Sequence, residues 1–436
     1  MDSPGPTSIR FGAAGWRAIM ARDFTFANVR LASQAVAEYL KTELADPNSP
    51  IHRRAPAVII ARDCRFLGPQ FALAAAEVLT AAGLIPRLCD HATPAPVLAL
   101  AIRQRKALGG IYIAAGHNPA EYSGFQFSRH DGAGAPPDVT GPIEAAIVRL
   151  QRANWSFPAV VTGTFQARTF DPQPGYFKQI EKLVDFAAIK KARLKIAVDL
   201  MFGCGRGYLD ALLLRAGAKL TVFHNESDAF FGGHPPDPCA ERLAELRQAV
   251  RRGQAQLGLA TSGDAAHCGV VDRDGACLAP NQVLALAHHL MKTNRGRTRS
   301  VVLTAPAQDG ILACLMMAEL VATERKSLGH ILEGLNWEEI DFRDSPAGRQ
   351  ACLQGSSLAV WEVMLVARDY ANDAAAVAKH LHWPEAKVQA AFNYALAHPQ
   401  EIEAALEAND AVDFESLRRM LPQAREFIAS ARPRKR

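Results

Sequence analysis

The segment Pro56–Arg62, PAVIIAR, is a short β-branched run with helical periodicity on both sides, and this alternation is what most restricts the fold. Before it, Phe26–Lys41 places Val29, Ala32, Ala35, Val36 and Leu40 on one helical face. After it, Gln70–Ala82 reads as an apolar helix closed by Gly83, and Ile85–Cys89 as a second strand. Ala107–Ala115 is a third strand that runs straight into GHNPAEYSG. Strands that are apolar throughout must be covered on both faces, so helices belong on both sides of a mostly parallel sheet.

The same alternation restarts near Pro172, after Val160–Thr169. A helix over Tyr176–Asp185 leads to a strand over Leu194–Asp199, a glycine-rich turn over Met201–Gly207, a helix over Tyr208–Ala216 and a strand over Leu220–Phe223. Past FFGGHPPDP, the helix Ala240–Arg251 leads to the strand Gln256–Ala260 and the turn TSGDAAHCG. Asn281–Met291 and Gly310–Ala322 are further helices. Beyond Asp344 the strand signal stops. Leu358–Tyr370, Ala374–Leu381, Glu385–Ala397, Gln400–Ala408 and Phe414–Ser430 all read as helices, with Pro384 and Pro399 at first helical positions.

Charge and cysteine usage narrow the class. Lys plus Arg exceed Asp plus Glu by 49 to 44, a net +5 too small to imply a nucleic-acid or membrane partner. Apolar runs stop well short of the roughly 18 residues that a membrane span needs. The opening MDSPGPTSIR carries no apolar stretch, so no signal peptide is expected and the predicted location is cytoplasmic. The eight cysteines are scattered with no CxxC pair, which reads as reduced packing thiols. Cys64 in particular reads as a buried, inert thiol. Gly203, Gly205 and Gly207 are spaced as GCGRG rather than GxGxxG, and the dinucleotide reading is discarded.

Six segments then stand out in order: IRFGAAGWRAIMARDFTFANVR, ARDCRFLGPQFA, AGHNPAEYSGFQF, VDLMFGCGRGYL, FFGGHPPDP and LGLATSGDAAHCGVVDRDG. Together they resemble the α-D-phosphohexomutases, the phosphoglucomutase and phosphomannomutase superfamily, over about residues 8–335. The resemblance implies α/β/α domains with mixed, mostly parallel sheets: domain I over 1–160, domain II over 161–280 and a remnant of domain III over 281–343. A small all-α, helix-turn-helix-like domain follows over 344–430, then a basic tail over 431–436. The stretch from Leu358 to Leu406 is similar to a small bacterial antitoxin-like helical family of uncharacterised function.

The same resemblance implies chemistry that several positions here do not supply. Mutases of the family carry a phosphoserine before His-Asn-Pro; the position is Gly116, and Ser123 and Ser128 lie downstream. Their Asp-Gly-Asp-Ala-Asp-Arg loop holds Mg²⁺ through three carboxylates; here it is Ser262-Gly263-Asp264-Ala265-Ala266-His267. The sugar-reading and second-phosphate loops have no counterpart. An enzyme without nucleophile, metal ligands and clamp has lost covalent and electrostatic catalysis together. The prediction is therefore a non-catalytic protein, a scaffold or sensor with no catalytic residue. Its residual ligand-binding positions are Arg17, His117, Asn118 and His267, with Asp264 as a weak residual metal ligand.

No cofactor is expected, and Mg²⁺ only if activity persists. The expected partners are a hexose phosphate, a protein partner or a second copy. The alternatives are an active phosphoglucomutase/phosphomannomutase-type intramolecular phosphotransferase, and a DNA-binding or antitoxin-type regulator acting through the C-terminal helices. The second of these is thinly supplied, since Asp and Glu slightly outnumber Lys and Arg beyond Cys352. Its would-be recognition helix offers Lys387, Gln389 and Asn393. Trp361 and Trp383 read as core.

Overall fold

Strand β2 (Ala57–Arg62) alternates between two helical layers, and that alternation organises the first domain. Val58 and Ile60 pack into the cluster that holds Val29, Leu40, Phe71 and Leu79, while Ile59 joins Leu98, Ile102 and Tyr112 on the other face. The computed structural model describes residues 8–12, 15–157, 168–293, 308–335, 339–345, 348–370 and 372–411. The expected helix Phe414–Ser430, the tail and most of Val160–Thr169 lie outside these residues.

Domain I runs β1 (Trp16–Ile19), α1 (Phe26–Ala45), β2, α2 (Gly68–Ala81), β3 (Ile85–Cys89), α3 (Ala95–Gln104), β4 (Gly109–Ile113), β5 (Tyr122–Arg129), α4 (Pro137–Arg152) and β6 (Arg168–Phe170). Its sheet has the order β1-β5-β4-β2-β3-β6. The pairs β4–β2, β2–β3 and β3–β6 are parallel; β4–β5 and β1–β5 are antiparallel. Helix α1 starts where the Thr25 side chain accepts from the Asn28 N–H at 3.2 Å. Helix α4 presents Val139, Ile143, Ile147 and Leu150 to the core at helical spacing.

The second sheet is built from β7 (Lys195–Asp199), β8 (Lys219–Phe223), β9 (Leu257–Thr261), β10 (Cys268–Val271) and β11 (Cys277–Leu278), in the order β11-β10-β9-β7-β8. Between and after these lie α5 (Gln173–Leu183), α6 (Phe186–Ala192), α7 (Leu209–Arg215), α8 (Ala244–Arg251), α9 (Pro280–Thr293), α10 (Gly310–Glu324) and α11 (Leu328–Glu333). Both sheets are mixed and mostly parallel in their centres, as the alternation predicts.

Helix α10, ILACLMMAELVA, is apolar on every side and is buried along nearly its whole length against α6, α9, β9 and β10. Its single buried charge, Glu319, accepts from the Asp185 N–H at 3.1 Å. Its N-cap, Asp309, accepts from the Leu312 N–H at 2.9 Å and from the Tyr176 hydroxyl at 2.7 and 2.9 Å.

Residues 1–331 and 332–436 form two compact units. The second is not all-helical. An antiparallel hairpin, β12 (Ile340–Ser345) and β13 (Gly348–Leu353), precedes α12 (Val360–Asp369), α13 (Ala374–Leu381), α14 (Glu385–Ala397) and α15 (Pro399–Asp410). The boundary expected at 344 falls inside β12. The strands IDFRDS and GRQACL are short and polar, and only Ile340, Ala351 and Leu353 join the core with Val360, Val363 and Val388. In β12 Ile340 is followed by four exposed residues, and in β13 Ala351, Cys352 and Leu353 are buried in a row, so neither strand carries the period-2 signal.

Burial pushes the Asp309 carboxyl up to about 6, against hydrogen bonds from Leu312 and Tyr176 that oppose the rise. A carboxyl raised in the folded state stabilises fully below its ordinary value near 3.8 and loses that contribution as pH climbs through about 6. The first unit of the wild type should therefore lose stability relative to Asp309→Asn between pH 4 and 7. At ~1.4 kcal/mol per tenfold change in proton affinity, the difference reaches about 3 kcal/mol at most. Urea denaturation of both proteins across that range checks it, and parallel curves would contradict it.

Candidate functional site

Three strand-end loops converge on one side of the first unit: 63–67 after β2, 115–121 after β4 and 262–267 after β9. Each follows the carboxyl end of a central strand, where open α/β sheets place their ligands. The first two loops are locked by a buried pair that the sequence motifs contain without marking it as a pair, Asp63 and Arg65. Both side chains are essentially unexposed, at 1% and 0%. The Arg65 Nε donates to Asp63 Oδ2 at 3.0 Å, and Asp63 also accepts from the Arg65 and Ala115 N–H groups at 3.0 and 3.3 Å. The Arg65 Nη1 donates to the carbonyls of Pro119 and Tyr122, and Nη2 to those of Gly116 and Asn118, at 2.5 to 3.0 Å. The Phe231 ring stands 5.1 Å from the guanidinium. Burial pushes the Asp63 carboxyl up, and Arg65 pulls it back down. The signal for this pair in the sequence is Asp-x-Arg directly after a fully apolar strand.

Gly116 sits in the left-handed region, with φ +56°. A Cβ there would lie 2.7 Å from Arg17 Nη2. The Arg17 guanidinium thus fills the space over Gly116 that a side chain at that position would need. Arg17 Nη1 donates to Asn118 Oδ1 at 2.7 Å, so two of the expected ligand-binding residues meet directly. The Arg17 Nε is buried and has no hydrogen-bond partner among the described residues. Burial lowers the Arg17 pKa, partly offset by the charges of Asp264 and Asp63. A desolvated cation with an unpaired N–H is short of an anion.

The other two expected residues also approach each other. The rings of His117 and His267 lie edge to face at 6.1 Å, and both side chains are exposed. Neither is hydrogen-bonded to a nucleophile. Ser123 and Ser128 are buried on β5, so neither replaces the missing serine.

Of the three carboxylate positions in the 262–267 loop, this chain supplies only Asp264. Asp264 is buried, and its Oδ1 accepts from the Ser262 hydroxyl at 2.8 Å and the Ala266 N–H at 3.1 Å. The Ser262 Oγ in turn accepts from the His267 N–H at 3.0 Å. Both of these bonds to Asp264 fall on Oδ1. Among the described residues, the group of three ligand-type side chains close enough to hold an ion is Asp90, His91 and Asp171, which does not include Asp264.

Residues 8–153 match phosphoglucomutase/phosphomannomutase, alpha/beta/alpha domain I, and residues 174–275 match domain II of the same family. The chain belongs to the phosphohexomutase superfamily. It is 29% identical over 275 residues to a probable phosphoglucosamine mutase of Methanothermobacter thermautotrophicus, a match covering 61% of this chain and 57% of that one. It is likewise 29% identical over 317 residues to a phosphoglucosamine mutase of Thermobifida fusca, covering 72% and 67%. The chain therefore spans little more than half the length of the first of these relatives.

The fold is that of a solved putative phosphomannomutase from Thermus thermophilus, with TM-score 0.64 and 24% identity over 80% of this chain and 91% of that one. Among the described residues, no helix is long and apolar enough to cross a membrane.

In the C-terminal unit of this phosphohexomutase-superfamily chain, the three would-be DNA contacts are engaged internally. Lys387 Nζ lies 4.5 Å from the Trp383 ring and donates to the Gln354 carbonyl, and Gln389 donates to Asn393 at 3.1 Å.

Gly116→Ser puts a Cβ into the left-handed region and against Arg17. It is expected to cost about 1–2 kcal/mol of stability. Denaturant titration of the variant measures this, and a variant as stable as wild type would show that the loop has room to re-form around a serine.

Proposed function

We propose that this protein binds a phosphorylated hexose between the 115–121 and 262–267 loops and does not run a phosphoserine cycle. The observation that carries the proposal is the Arg17 guanidinium standing over Gly116, with Nη1 held by Asn118 and Nε left without a partner. The Nε–Nη2 edge is a planar fork matched to two phosphate oxygens. A phosphate admitted to that edge by a shift of Arg17 or of the 115–121 loop would supply the hydrogen bond that Nε lacks. His117 and His267 flank the same opening and supply further donors to the ligand.

Phosphoryl transfer through the protein requires an oxygen carrier in line with phosphorus. Gly116 has none. The clamp by Arg65, the seat of Arg17 and the Ser262–Asp264 turn all support a recognition site in which the transfer parts are absent.

A second reading, an active phosphohexose mutase, is favoured by the relatives, which are themselves named mutases. In this chain such an activity needs a phosphoryl group supplied by a free hexose bisphosphate. The two readings separate in one vessel. ³¹P NMR of the protein with a hexose 1-phosphate and catalytic hexose 1,6-bisphosphate, with and without Mg²⁺, should show no 6-phosphate growing in. Steady conversion would establish the mutase.

Binding itself is read by thermal shift, since a ligand that binds only the folded state raises the melting temperature with its concentration. Hexose 1- or 6-phosphate should raise the transition of the wild type. Arg17→Ala should weaken the half-saturating concentration by about 10–100-fold, the range for a lost charged hydrogen bond. An identical response in both proteins would place the phosphate elsewhere.

A further inference from the structure

Two thiols face each other across the boundary between domains I and II. Cys64 lies in the loop after β2, inside the Asp63–Arg65 clamp, and Cys204 lies in the glycine-rich turn after β7. Their Sγ atoms are 3.8 Å apart, and Arg206 Nη2 is 3.7 Å from the Cys64 sulfur. The turn holds Cys204 in place through its backbone. The Cys204 N–H donates to the Gly263 carbonyl at 2.8 Å, and a Cβ on Gly205 would come within 2.3 Å of the Thr261 hydroxyl.

The two sulfurs are unlike. Cys204 is buried, whereas Cys64 is partly exposed. The Cys204 S–H, and then Arg206, draw the Cys64 thiol below its ordinary value against the cost of burial. Burial pushes Cys204 well up. A partly exposed, anion-stabilised sulfur beside a shielded, protonated one is the division of labour between an attacking and a resolving cysteine. The sequence-based view of Cys64 as inert does not fit this setting. Closing the pair to a bond of about 2.05 Å requires an approach of roughly 1.8 Å.

We propose that Cys64 and Cys204 form a hydroperoxide-reactive modification site that closes into a disulfide between domains I and II. The Cys64 thiolate attacks one oxygen of hydrogen peroxide, the O–O bond breaks, and the departing hydroxide takes up a proton to leave as water. Cys64 is then a sulfenic acid. Cys204 Sγ attacks the Cys64 sulfur, the S–O bond breaks, and the Cys204 proton leaves with the hydroxide as a second water. Two thiols lose two electrons and one peroxide gains them. The cross-link joins loop 63–67 to the 201–207 turn and, through the Cys204–Gly263 hydrogen bond, to loop 262–267. It therefore fixes the spacing of the loops around Arg17, whichever ligand they bind.

The 436-residue chain, whose eight cysteines are all free, is treated with one equivalent of hydrogen peroxide, unfolded, alkylated, digested and analysed by mass spectrometry. The expected product is a peptide pair joined through Cys64 and Cys204, with two thiols protected from alkylation and both restored by dithiothreitol. Cys204→Ser should leave Cys64 as a sulfenic acid trapped by dimedone, with no joined pair. Cys64→Ser and Cys64→Ala should both lose the pair, with far-UV circular dichroism confirming that each is folded. Full alkylation of Cys64 after peroxide, or a disulfide that joins other cysteines instead, overturns the proposal.

Discussion

Arg65 makes five hydrogen bonds from a side chain with no exposed surface, and its carboxylate partner Asp63 is buried beside it. A buried ion pair is not stabilising by default, because removing two charges from water costs several kcal/mol per ion. What offsets that cost here is saturation. One N–H meets Asp63, three meet carbonyls of the 115–121 loop and one meets the carbonyl of Tyr122 at the start of β5, so the guanidinium leaves no donor unpaired. Removing either partner would strand the other charge, at roughly 3–5 kcal/mol. The loop after β4 therefore takes its shape from Arg65, and the left-handed φ of Gly116 belongs to that shape. Arg17 then settles on the surface that a residue without a side chain leaves open.

The phosphohexomutase-type scaffold is thus clear where it positions backbone, and it differs from the family pattern in the side chains of two loops. Its strand-end loops remain at the carboxyl edge of the two sheets. Gly116 lies beneath the Arg17 guanidinium, and the 262–267 turn keeps one carboxylate, Asp264, whose Oδ1 accepts from Ser262 and Ala266. Recognition of a phosphate needs only a fixed cation, which Arg17, held by Asn118, could provide under the reading proposed above. Transfer needs a carrier oxygen and neutralisation of developing charge, which call for several groups at once.

The parts of this arrangement legible in sequence are those whose signal is local. The strand Ala57–Arg62 and the helix Ala374–Leu381 follow from period and caps, and their bounds agree with the structure to within a residue. Arg17 and Asn118 stand out separately in the sequence, and the fold brings them to 2.7 Å. The hairpin Ile340–Leu353 is not legible, because its strands do not alternate: Ile340 is followed by four exposed residues, and Ala351, Cys352 and Leu353 are buried in succession. Asp63 and Arg65 escape notice because nearby opposite charges after a strand resemble a solvated loop; only burial reveals them as a clamp. The Cys64–Cys204 pair spans 140 positions, and nothing at either end of the sequence announces the other.

The loop 262–267 shows how a family's metal-binding segment holds its form without the family's ligands. Its backbone is tied from four directions: the Ala95 N–H donates to the Asp264 carbonyl at 3.0 Å, Cys204 to Gly263 at 2.8 Å, Gly310 to Ala265 at 3.1 Å, and the Gly263 N–H to Pro236 at 3.0 Å. The tie at Gly310 is close enough that a Cβ there would come 2.3 Å from the His267 carbonyl. Gly310 in turn opens α10, a helix so uniformly apolar that it must stay buried, and Asp309 fixes its start against Tyr176. The loop is therefore braced by hydrophobic burial transmitted through a helix end. Domain I and the glycine turn hold its other sides. With that bracing, the turn holds its shape through backbone ties and with Asp264 as its single carboxylate.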